Sequence, residues 1–365
     1  MGTAVTSTAG PRRALIVSAS IGAGHNAAGQ ALAEAAPRAW PGCEVGWLDA
    51  LDAVGPGFAA LARCFYVAQA QLTSVRCGLG SLFGRALAPH IRDFDPDVIV
   101  STCPLGSAGL SWLRRHGRLP APTGAWIPAF CPRPSCLYRD LDLTYVMHPA
   151  AQHVAQRAER DIRVAVGALP VRDAFAPGDQ VAARGRLGVP ADRFTAAVCT
   201  GSLGSGRVDG TVTALLAAGA DVQVIVVCGR NNRLREQLST QSGPGGRLHV
   251  LGWTDDMPAV MTAADVVVTN GGGTALEALT AVRPVIMTDP VARHGRANAQ
   301  LMAAAGLAWL ARDQAALTAA VRCLANDSAA LARQASLVLA TAAGRRREDD
   351  LADLAAVPRR DLSQP

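Results

Sequence analysis

The first segment with residues suited to chemistry is SIGAGHNAAG, which follows the apolar run Ala14–Ser18. Gly22 and Gly24 allow a tight loop, and the start of the next helix exposes unpaired N–H groups. His25 lies at this turn, and an imidazole can take a proton from a hydroxyl near neutral pH. The alternative is that His25 only starts a helix. No acidic residue follows at the dinucleotide-fingerprint spacing, which counts against NAD.

A second glycine-rich loop, TGSLGSG at Thr200–Gly206, follows the run Thr195–Cys199. Its backbone N–H groups could converge on an anion, and its serine hydroxyls could donate as well. The loop lacks the lysine of a Walker motif, so a phosphate would be held without that machinery. The alternative is a glycine-rich turn without a ligand.

The third segment runs from Val266–Thr269 through a triple glycine into a helix predicted to start at Thr274. Glu277 follows Thr274 by three residues, the spacing of a helix capping box. The functional alternative is that the Glu277 carboxylate accepts both hydroxyls of a ribose, because one carboxylate can take two donors. Asn298, on the next predicted helix, could face the same side.

Short apolar runs alternate with Ala-rich segments along the chain. The runs are Ala14–Ser18, Val45–Leu48, Val98–Ser101, Gly124–Ile127, Leu143–Met147, Arg163–Val166, Thr195–Cys199, Val222–Cys228, His249–Leu251, Val266–Thr269 and Pro284–Thr288. Continuous runs of this length are typical of buried parallel strands, with the Ala-rich segments as crossover helices. This pattern predicts two α/β domains, over residues 12–170 and 171–340. Residues 344–365 alternate charge blocks and are predicted to form a polar tail that is frayed or disordered.

Composition excludes several classes of protein. The chain has 365 residues, a 50% hydrophobic fraction and a net charge of +6, so it is not disordered and mildly favours anionic partners. All 35 basic residues are arginine, which excludes a lysine nucleophile or Schiff base. The nine cysteines are scattered without a C-x-x-C pair, so neither a disulfide framework nor a zinc site is expected. Neither a signal peptide nor an apolar spanning segment is expected.

Taken together, these motifs resemble one family. The chain is similar to the monogalactosyldiacylglycerol synthases and processive diacylglycerol glucosyltransferases, and more distantly to the peptidoglycan lipid-intermediate N-acetylglucosaminyltransferase. The matching stretches occur in the family's order between residues 12 and 310. They are SASIGAGHNAAGQAL, DPDVIVSTCPL, GALPVRDAF, TGSLG, LGWTDDMPAVMTAADVVVTNGGGTALEAL and DPVARHGRANAQ.

The resemblance implies a GT-B fold, in which two Rossmann-like domains with parallel sheets face a central cleft. It places the acceptor in the N-terminal domain and a UDP-sugar in the C-terminal one. It implies that His25 orients or deprotonates the acceptor, with Gly22, Gly24 and Cys103 on the acceptor side. The implied donor-site residues are Gly201, Ser202, Gly204, Gly272, Gly273, Thr274, Glu277 and Asn298.

Several positions depart from the family pattern. The family's S-T-H-P reads Ser101-Thr102-Cys103-Pro104 here, and a Thr-Asp pair is replaced within Ile127–Phe130. A family segment with a Gln and a Glu pair reads Arg293–Arg296. The first two changes remove a His and an Asp from the acceptor side.

The region Gly57–Phe94 has two interpretations. Apolar residues there are interleaved with arginines, which is typical of a surface that lies on an anionic membrane. The alternative is an ordinary amphipathic helix pair packed on the sheet.

The function predicted from the residues and the resemblance is an inverting, metal-independent glycosyltransferase. It would move a hexose or N-acetylhexosamine from a UDP-sugar to a hydroxyl of a diacylglycerol-like lipid or other hydrophobic acceptor. No cofactor, metal or nucleic acid is expected. The protein is expected to be cytoplasmic, and a peripheral position on the inner face of the cell membrane is the alternative. The alternatives are a UDP-sugar epimerase or hydrolase on the same fold, and a non-catalytic nucleotide-sugar-binding protein.

Overall fold

The computed structural model describes residues 10–21, 23–55, 57, 76–199, 201, 206–242, 246–288, 292–342 and 344–360. These residues form two compact units. The first unit comprises the chain up to Pro128, Pro132–Pro170 and the residues from Arg345 onward. The second comprises Ala129–Cys131 and Val171–Gly344.

The first unit is built on a parallel sheet of six strands in the order β2-β1-β3-β4-β5-β6. The strands are β1 (Arg13–Ser18), β2 (Glu44–Asp49), β3 (Val98–Ser101), β4 (Thr123–Trp126), β5 (Leu143–Val146) and β6 (Val164–Val166). The helices between them are α1 (Ala23–Ala39), α2 (Ala50–Val54), α3 (Arg76–Phe94), α4 (Pro104–Arg115) and α5 (Pro149–Ala158). A short 3-10 turn covers Pro134–Cys136.

Side chains of β1 alternate between two buried layers, because successive strand residues point to opposite faces. Leu15 and Val17 pack with Phe83 of α3, and Ile16 packs on the other face with Leu32 of α1. Helices therefore cover both faces of the sheet, as parallel sheets require.

The second unit repeats this plan with strands in the order β12-β11-β10-β7-β8-β9, all parallel. The strands are β7 (Phe194–Cys199), β8 (Val222–Val227), β9 (Leu248–Leu251), β10 (Val266–Thr269), β11 (Val285–Met287) and β12 (Trp309–Leu310). The helices are α6 (Gln180–Leu187), α7 (Val208–Leu216), α8 (Asn232–Ser239), α9 (Met257–Ala263), α10 (Gly273–Thr280), α11 (Ala292–Ala304), α12 (Gln314–Asn326) and α13 (Ser328–Ala342). A second 3-10 turn covers Asp173–Phe175.

The predicted α/β architecture with parallel sheets is confirmed, and each of the eleven predicted runs contains one of β1 to β11 or most of one. In the second sheet β7 and β10 are neighbours, and the chain proceeds outward from them in both directions. Such a reversal of strand order is where open α/β sheets bind ligands, outside the carboxyl ends of the strands.

The prediction of a frayed or disordered tail at 344–365 is wrong for its first part. That part forms a packed helix, α14 (Arg347–Ala355), which belongs to the first unit. Leu351 and Leu354 enter the core beside Trp126 and Tyr145. Gly124 of β4 makes room for this packing, since a Cβ there would lie 2.8 Å from Leu354 Cδ2. The charged residues of this segment flank a single apolar stripe, formed by Leu351 and Leu354, and that stripe is enough to pack a short helix on the core.

Asp350 ties α14 to the first unit. Its carboxylate is fully buried and accepts from the Ala168 N–H at 2.6 Å and from Arg345 Nε at 2.5 Å. Its carbonyl accepts from the Tyr145 hydroxyl at 2.5 Å. The buried carboxylate is thus satisfied by hydrogen bonds, as buried charges must be.

Candidate functional site

Three neighbouring strands of the first sheet end in polar residues at the same edge. β1 ends at Ser18, β2 at Asp49 and β3 at Ser101, and the strand order places β1 between the other two. Their carboxyl ends therefore bring polar side chains together, next to the turn that leads into α1.

His25 lies in the first turn of α1 and is half-buried. Its Nδ1 lies 2.8 Å from the backbone carbonyl oxygen of Thr102. Because a carbonyl can only accept, this contact assigns the proton of the neutral ring to Nδ1 and leaves the Nε2 lone pair to accept a proton.

The electrostatic surroundings keep this imidazole uncharged. Burial lowers the pKa of His25 below its usual 6.5, the hydrogen bond to Thr102 acts in the opposite direction, and the Arg133 charge lowers it further. At neutral pH the ring is therefore a neutral base with Nε2 as its basic atom.

The sequence reasoning missed a chain of hydrogen bonds beside His25. Asn26 accepts from the Ser18 hydroxyl at 2.6 Å and donates to Ser20 Oγ at 3.0 Å. The Ser20 hydroxyl in turn donates to Asp49 at 2.5 Å. Ser18, Ser20 and Asn26 are close in sequence, but Asp49 is 29 residues from Ser20, and the one available signal was that Asp49 follows an apolar run.

The other predicted acceptor-side residues differ in their surroundings. Gly22 lies outside the described residues. Gly24 is exposed, and a Cβ added there would meet nothing within 4 Å. Cys103 is buried and caps α4, because its Sγ accepts from the Gly106 N–H at 3.2 Å. Burial raises the pKa of this thiol to about 12, so it stays protonated at neutral pH and is not a thiolate nucleophile.

Asp142, a buried carboxylate of the first unit, has a structural position. It is buried just before β5, forms an ion pair with Arg114 and accepts from the Thr123 N–H at 2.8 Å. It therefore lies at the amino end of β5, away from the edge that carries His25. Asp140 accepts from the Ser111 hydroxyl at 2.6 Å.

The region Gly57–Phe94 is described at residue 57 and from residue 76. Within that part, α3 buries Phe83, Leu87 and Ile91 against the first unit, while Arg85 and Arg92 are exposed. The amphipathic, core-packed interpretation holds for this helix. The other residues of the membrane interpretation, 58–75, lie outside the described part. No helix among the described residues is long and apolar enough to cross a membrane.

In the second unit, the loop after β7 is described only at its ends. Gly201 is exposed with a φ of 81°, and Gly206 has a φ of 106°. Both values fall where L side chains are strained, so these positions require glycine. Ser202 and Gly204 lie outside the described residues, and their predicted contact with a diphosphate stays a prediction.

The loop after β10 has a similar backbone. Gly271 and Gly272 have φ values of 111° and 82°, and Gly272 caps α10 without a side-chain hydrogen bond. The capping-box interpretation of Thr274 and Glu277 is therefore wrong, because the helix begins at Gly273 and Glu277 is its fifth residue. Gly273 and Thr274 form the first turn, whose N–H groups point out of the helix.

Glu277 is half-buried on the second turn of α10. Burial raises its pKa to about 7, and the charge of Arg172 acts in the opposite direction. Burial and then the charge of Glu277 raise the pKa of Cys199, the last residue of β7. Since that effect requires proximity, the Glu277 carboxyl lies near the carboxyl end of β7, where the glycine-rich loop begins.

Asn298 is buried on α11 and its Oδ1 accepts from the Cys131 N–H at 2.6 Å. The N-terminal part of α11 approaches the loop after β10, since a Cβ on Gly271 would lie 3.9 Å from the Gly295 carbonyl oxygen. The structure thus gathers the described donor-site candidates of the second unit around the ends of β7, β10 and β11, and it places His25 in the first unit.

A cavity of about 360 Å³ at this edge was also missed by the sequence reasoning. Its lining includes Arg207 and Thr211 from the start of α7, Thr288 after β11, and Arg312 before α12. Both arginines are exposed, and neither has an ion pair within the part of the chain that the structure describes. Asp313 also lines the cavity, but its carboxylate caps α12 by accepting from the Ala316 N–H at 2.7 Å. Two arginines against one carboxylate leave a net positive charge beside helix N-termini, which favours an anionic ligand. Across the described ranges, no three His, Cys, Asp or Glu side chains form a set that could hold a metal ion.

Comparison with known proteins finds a family match over most of the second unit. Residues 195–347 match the model of the glycosyltransferase family 28 C-terminal domain. The processive diacylglycerol beta-glucosyltransferase of Bacillus subtilis is 26% identical, over 61% of this chain and 59% of the relative. The probable chloroplastic monogalactosyldiacylglycerol synthase of Glycine max is 28% identical, over 60% of this chain and 44% of the relative. The chain thus spans about half the length of these curated relatives.

Solved structures share the fold across nearly the whole chain. The glycotransferase of kitacinnamycin aligns with a TM-score of 0.60 at 18% identity and covers 95% of this chain and 100% of that chain. Anabaena Alr3699/HepE in complex with UDP-glucose aligns at 0.58 with 17% identity, over 94% and 98% of the two chains. A putative UDP-N-acetylglucosamine 2-epimerase from Listeria monocytogenes aligns at 0.60 with 14% identity, over 89% and 91%.

The fold alone does not distinguish transfer from epimerisation, but the family match and the curated relatives agree with the resemblance drawn from the motifs. The chain therefore has the GT-B fold, and its residues 195–347 match the glycosyltransferase family 28 C-terminal domain.

Proposed function

We propose that this protein is an inverting glycosyltransferase that moves a hexose or N-acetylhexosamine from a UDP-sugar to a hydroxyl of a diacylglycerol-like or other hydrophobic acceptor. The observation that carries the proposal is the neutral His25, whose Nδ1 is held by the Thr102 carbonyl while Nε2 keeps its lone pair. A base of this kind suits the deprotonation of a hydroxyl at neutral pH.

In the proposed reaction, His25 Nε2 takes the proton of the acceptor hydroxyl. The acceptor oxygen forms a bond to the anomeric carbon from the face opposite the UDP oxygen, so the configuration inverts. The bond between that carbon and the UDP oxygen breaks, and UDP leaves with the electron pair. No metal is needed if protein groups stabilise the charge that develops on UDP.

Support for the donor half comes from the second unit. Positive-φ glycines after β7 and β10, the N-termini of α7 and α10, and the cations Arg207 and Arg312 surround the place proposed for the diphosphate. Glu277 would accept the ribose hydroxyls near the end of β7. The similar fold of a protein solved with UDP-glucose supports a UDP-sugar as donor.

Support for a lipid acceptor comes from the relatives, which are named for diacylglycerol substrates. Because such an acceptor lies in a bilayer, we propose that the protein works as a peripheral protein on the cytoplasmic face of a membrane. Flotation with phosphatidylglycerol vesicles, against phosphatidylcholine vesicles as control, tests this. Equal absence from both floated fractions contradicts the membrane proposal.

The test of the reaction is UDP release from a panel of UDP-sugars with diacylglycerol in mixed micelles. His25→Ala should lower turnover by about 10²–10⁴-fold, the usual contribution of a general base, while UDP-sugar binding stays unchanged. His153→Ala, at an exposed histidine on α5, is the matched control. Equal turnover of the two variants would show that His25 is not the base.

The same panel separates the other candidate functions. The fold shared with a putative 2-epimerase favours testing sugar interconversion directly. Conversion of the UDP-sugar without UDP release would indicate an epimerase, and UDP release without an acceptor would indicate a hydrolase. Binding without any turnover would indicate a nucleotide-sugar-binding protein. Each of these results contradicts the proposed transfer.

A further inference from the structure

We propose that Asp49 is a positioning residue for His25 and acts through a directed chain of hydrogen bonds along the carboxyl edge of the first sheet. This inference rests on the proposed function only in giving His25 a catalytic purpose. The chain itself follows from distances between described side chains, and Asp49 and His25 are its two ends.

The chain begins at Asp49, which ends β2. Its Oδ2 accepts from both the N–H and the hydroxyl of Ser20, at 2.8 and 2.5 Å. Its Oδ1 accepts from the Leu51 N–H at 2.8 Å. Donors therefore face both carboxylate oxygens, so the Ser20 hydroxyl proton points toward Asp49 and Ser20 Oγ presents lone pairs to its other neighbour.

The orientation of the Ser20 hydroxyl fixes the direction of the next hydrogen bonds in the chain. Ser20 Oγ accepts from Asn26 Nδ2 at 3.0 Å, which orients the Asn26 amide with its oxygen toward Ser18. The Ser18 hydroxyl donates to this oxygen at 2.6 Å. Ser18 Oγ is left as an acceptor, and Thr102 Oγ1 lies 3.2 Å from it. The Ser18 and Ser20 hydroxyls and the Asn26 amide thus each have one orientation, set by a carboxylate that can only accept.

The last link reaches His25 from two sides. The single proton of the Thr102 hydroxyl is shared between Ser18 Oγ and the His25 carbonyl oxygen, which lies 3.0 Å from Thr102 Oγ1. The Thr102 carbonyl faces His25 Nδ1 at 2.8 Å. One residue therefore holds both the backbone and the ring of His25. Because Thr102 is buried and its hydroxyl bridges Ser18 and the His25 backbone, the chain from Asp49 helps to fix the position of the His25 ring.

Asp49 also accepts from the helix start at Leu51, so a change there would disturb α2 as well. Ser20→Ala is the sharper test, because it removes the second link and leaves Asp49 in place. Ser20→Thr restores the hydroxyl and is the conservative rescue. Asp52→Asn, at an exposed carboxylate on α2, controls for loss of charge nearby.

Two readouts are needed. In the transfer assay, Ser20→Ala should lower kcat about 10- to 100-fold, the cost of a misplaced catalytic group, with an unchanged Kd for UDP-glucose. Ser20→Thr should recover most of kcat. In ¹⁵N-histidine NMR, wild-type His25 should be neutral at pH 7 with its proton on Nδ1, and the signal is assigned through its loss in His25→Gln. In Ser20→Ala, a mixture of tautomers is expected, together with a His25 pKa below that of wild type, because the hydrogen bond to Thr102 that raises this pKa is weakened.

The inference is overturned if the His25 tautomer and pKa in Ser20→Ala equal those of wild type, or if kcat equals that of Asp52→Asn. Should Ser20→Ala fail to fold by circular dichroism, Asn26→Ala breaks the next link and is measured in the same way. The NMR readout needs no substrate, so it tests the positioning role even if no transfer occurs. If the wild-type protein transfers sugar to none of the acceptors, that result contradicts the proposed function and not the positioning role.

Discussion

The half-buried carboxyl of Glu277 makes donor binding depend on pH in a calculable way. Its pKa of about 7 means that it gains a proton near neutrality. Only the ionised form can accept both ribose hydroxyls. A group with this pKa is about one-tenth ionised at pH 6 and about nine-tenths at pH 8. Raising the pH from 6 to 8 should therefore tighten donor binding roughly ninefold.

The perturbation that isolates this effect is Glu277→Gln, which keeps the shape of the side chain and removes its titration. Its Kd should be nearly independent of pH over the same range. Glu277→Ala removes the acceptor altogether and should weaken binding by ~1–3 kcal/mol, the cost of a lost hydrogen bond to a charged group. That corresponds to roughly 5- to 150-fold in Kd at pH 8.

The assay is calorimetric titration with UDP-glucose at pH 6, 7 and 8. UDP-glucose is preferred to UDP because a terminal phosphate itself titrates near pH 6. Glu236→Gln, at an exposed carboxylate on α8, is the matched control and should keep the wild-type pH dependence. A wild-type Kd that does not change between pH 6 and 8, or one that changes equally in Glu277→Gln, would refute the assignment of Glu277 as the ribose ligand.

Three further predictions concern catalysis and stability. At saturating donor, kcat should rise with pH through a pKa below 6.5 and then stay level, because His25 must lose its proton to act as a base. Asp142→Ala should lower the free energy of unfolding in urea by about 3–5 kcal/mol, because it leaves the buried Arg114 without its carboxylate partner. Asp350→Ala should cost about 1–3 kcal/mol by leaving the Ala168 N–H unpaired, and hydrogen exchange should show faster opening of α14.

Asp93→Ala, at an exposed carboxylate, serves as the stability control for both aspartate variants and should change unfolding by less than about 0.5 kcal/mol. A kcat that falls as pH rises from 5 to 7 would contradict the role of His25. Urea midpoints for Asp142→Ala and Asp350→Ala that match Asp93→Ala would contradict the structural roles assigned to the two buried carboxylates.

The architecture was readable from the sequence because buried parallel strands leave a clear signal. Continuous apolar runs marked β1 to β11, since both faces of these sheets are covered. Strand β12, Trp309–Leu310, was not predicted because it has only two residues, which is too short for an apolar run. Helix α14 escaped because Leu351 and Leu354 are surrounded by charged residues, and membership in the first unit depends on contacts with strands about 200 residues earlier.

The candidate site was predictable from the sequence only where the backbone geometry requires a particular residue type. Positive-φ loops need glycine, so Gly201 and Gly272 could be singled out. The contact between His25 and Thr102 could not be predicted, because the two residues are 77 positions apart and a threonine carries no distinctive signal of such a contact. The cations Arg207 and Arg312 were hidden among many other arginines, and only the fold brings them to one cavity.

The docking of α14 has a consequence for the order in which the protein is made. The first unit contains residues before Val171 and also residues from Arg345 onward, so its core is missing Leu354 until the second unit has been made. The second unit, which consists of Ala129–Cys131 and Val171–Gly344, is synthesised before α14. Translation therefore leaves a nascent chain in which the first unit is incomplete while the second is already whole. Premature termination near Gly344 would harm the earlier-made half and spare the later one.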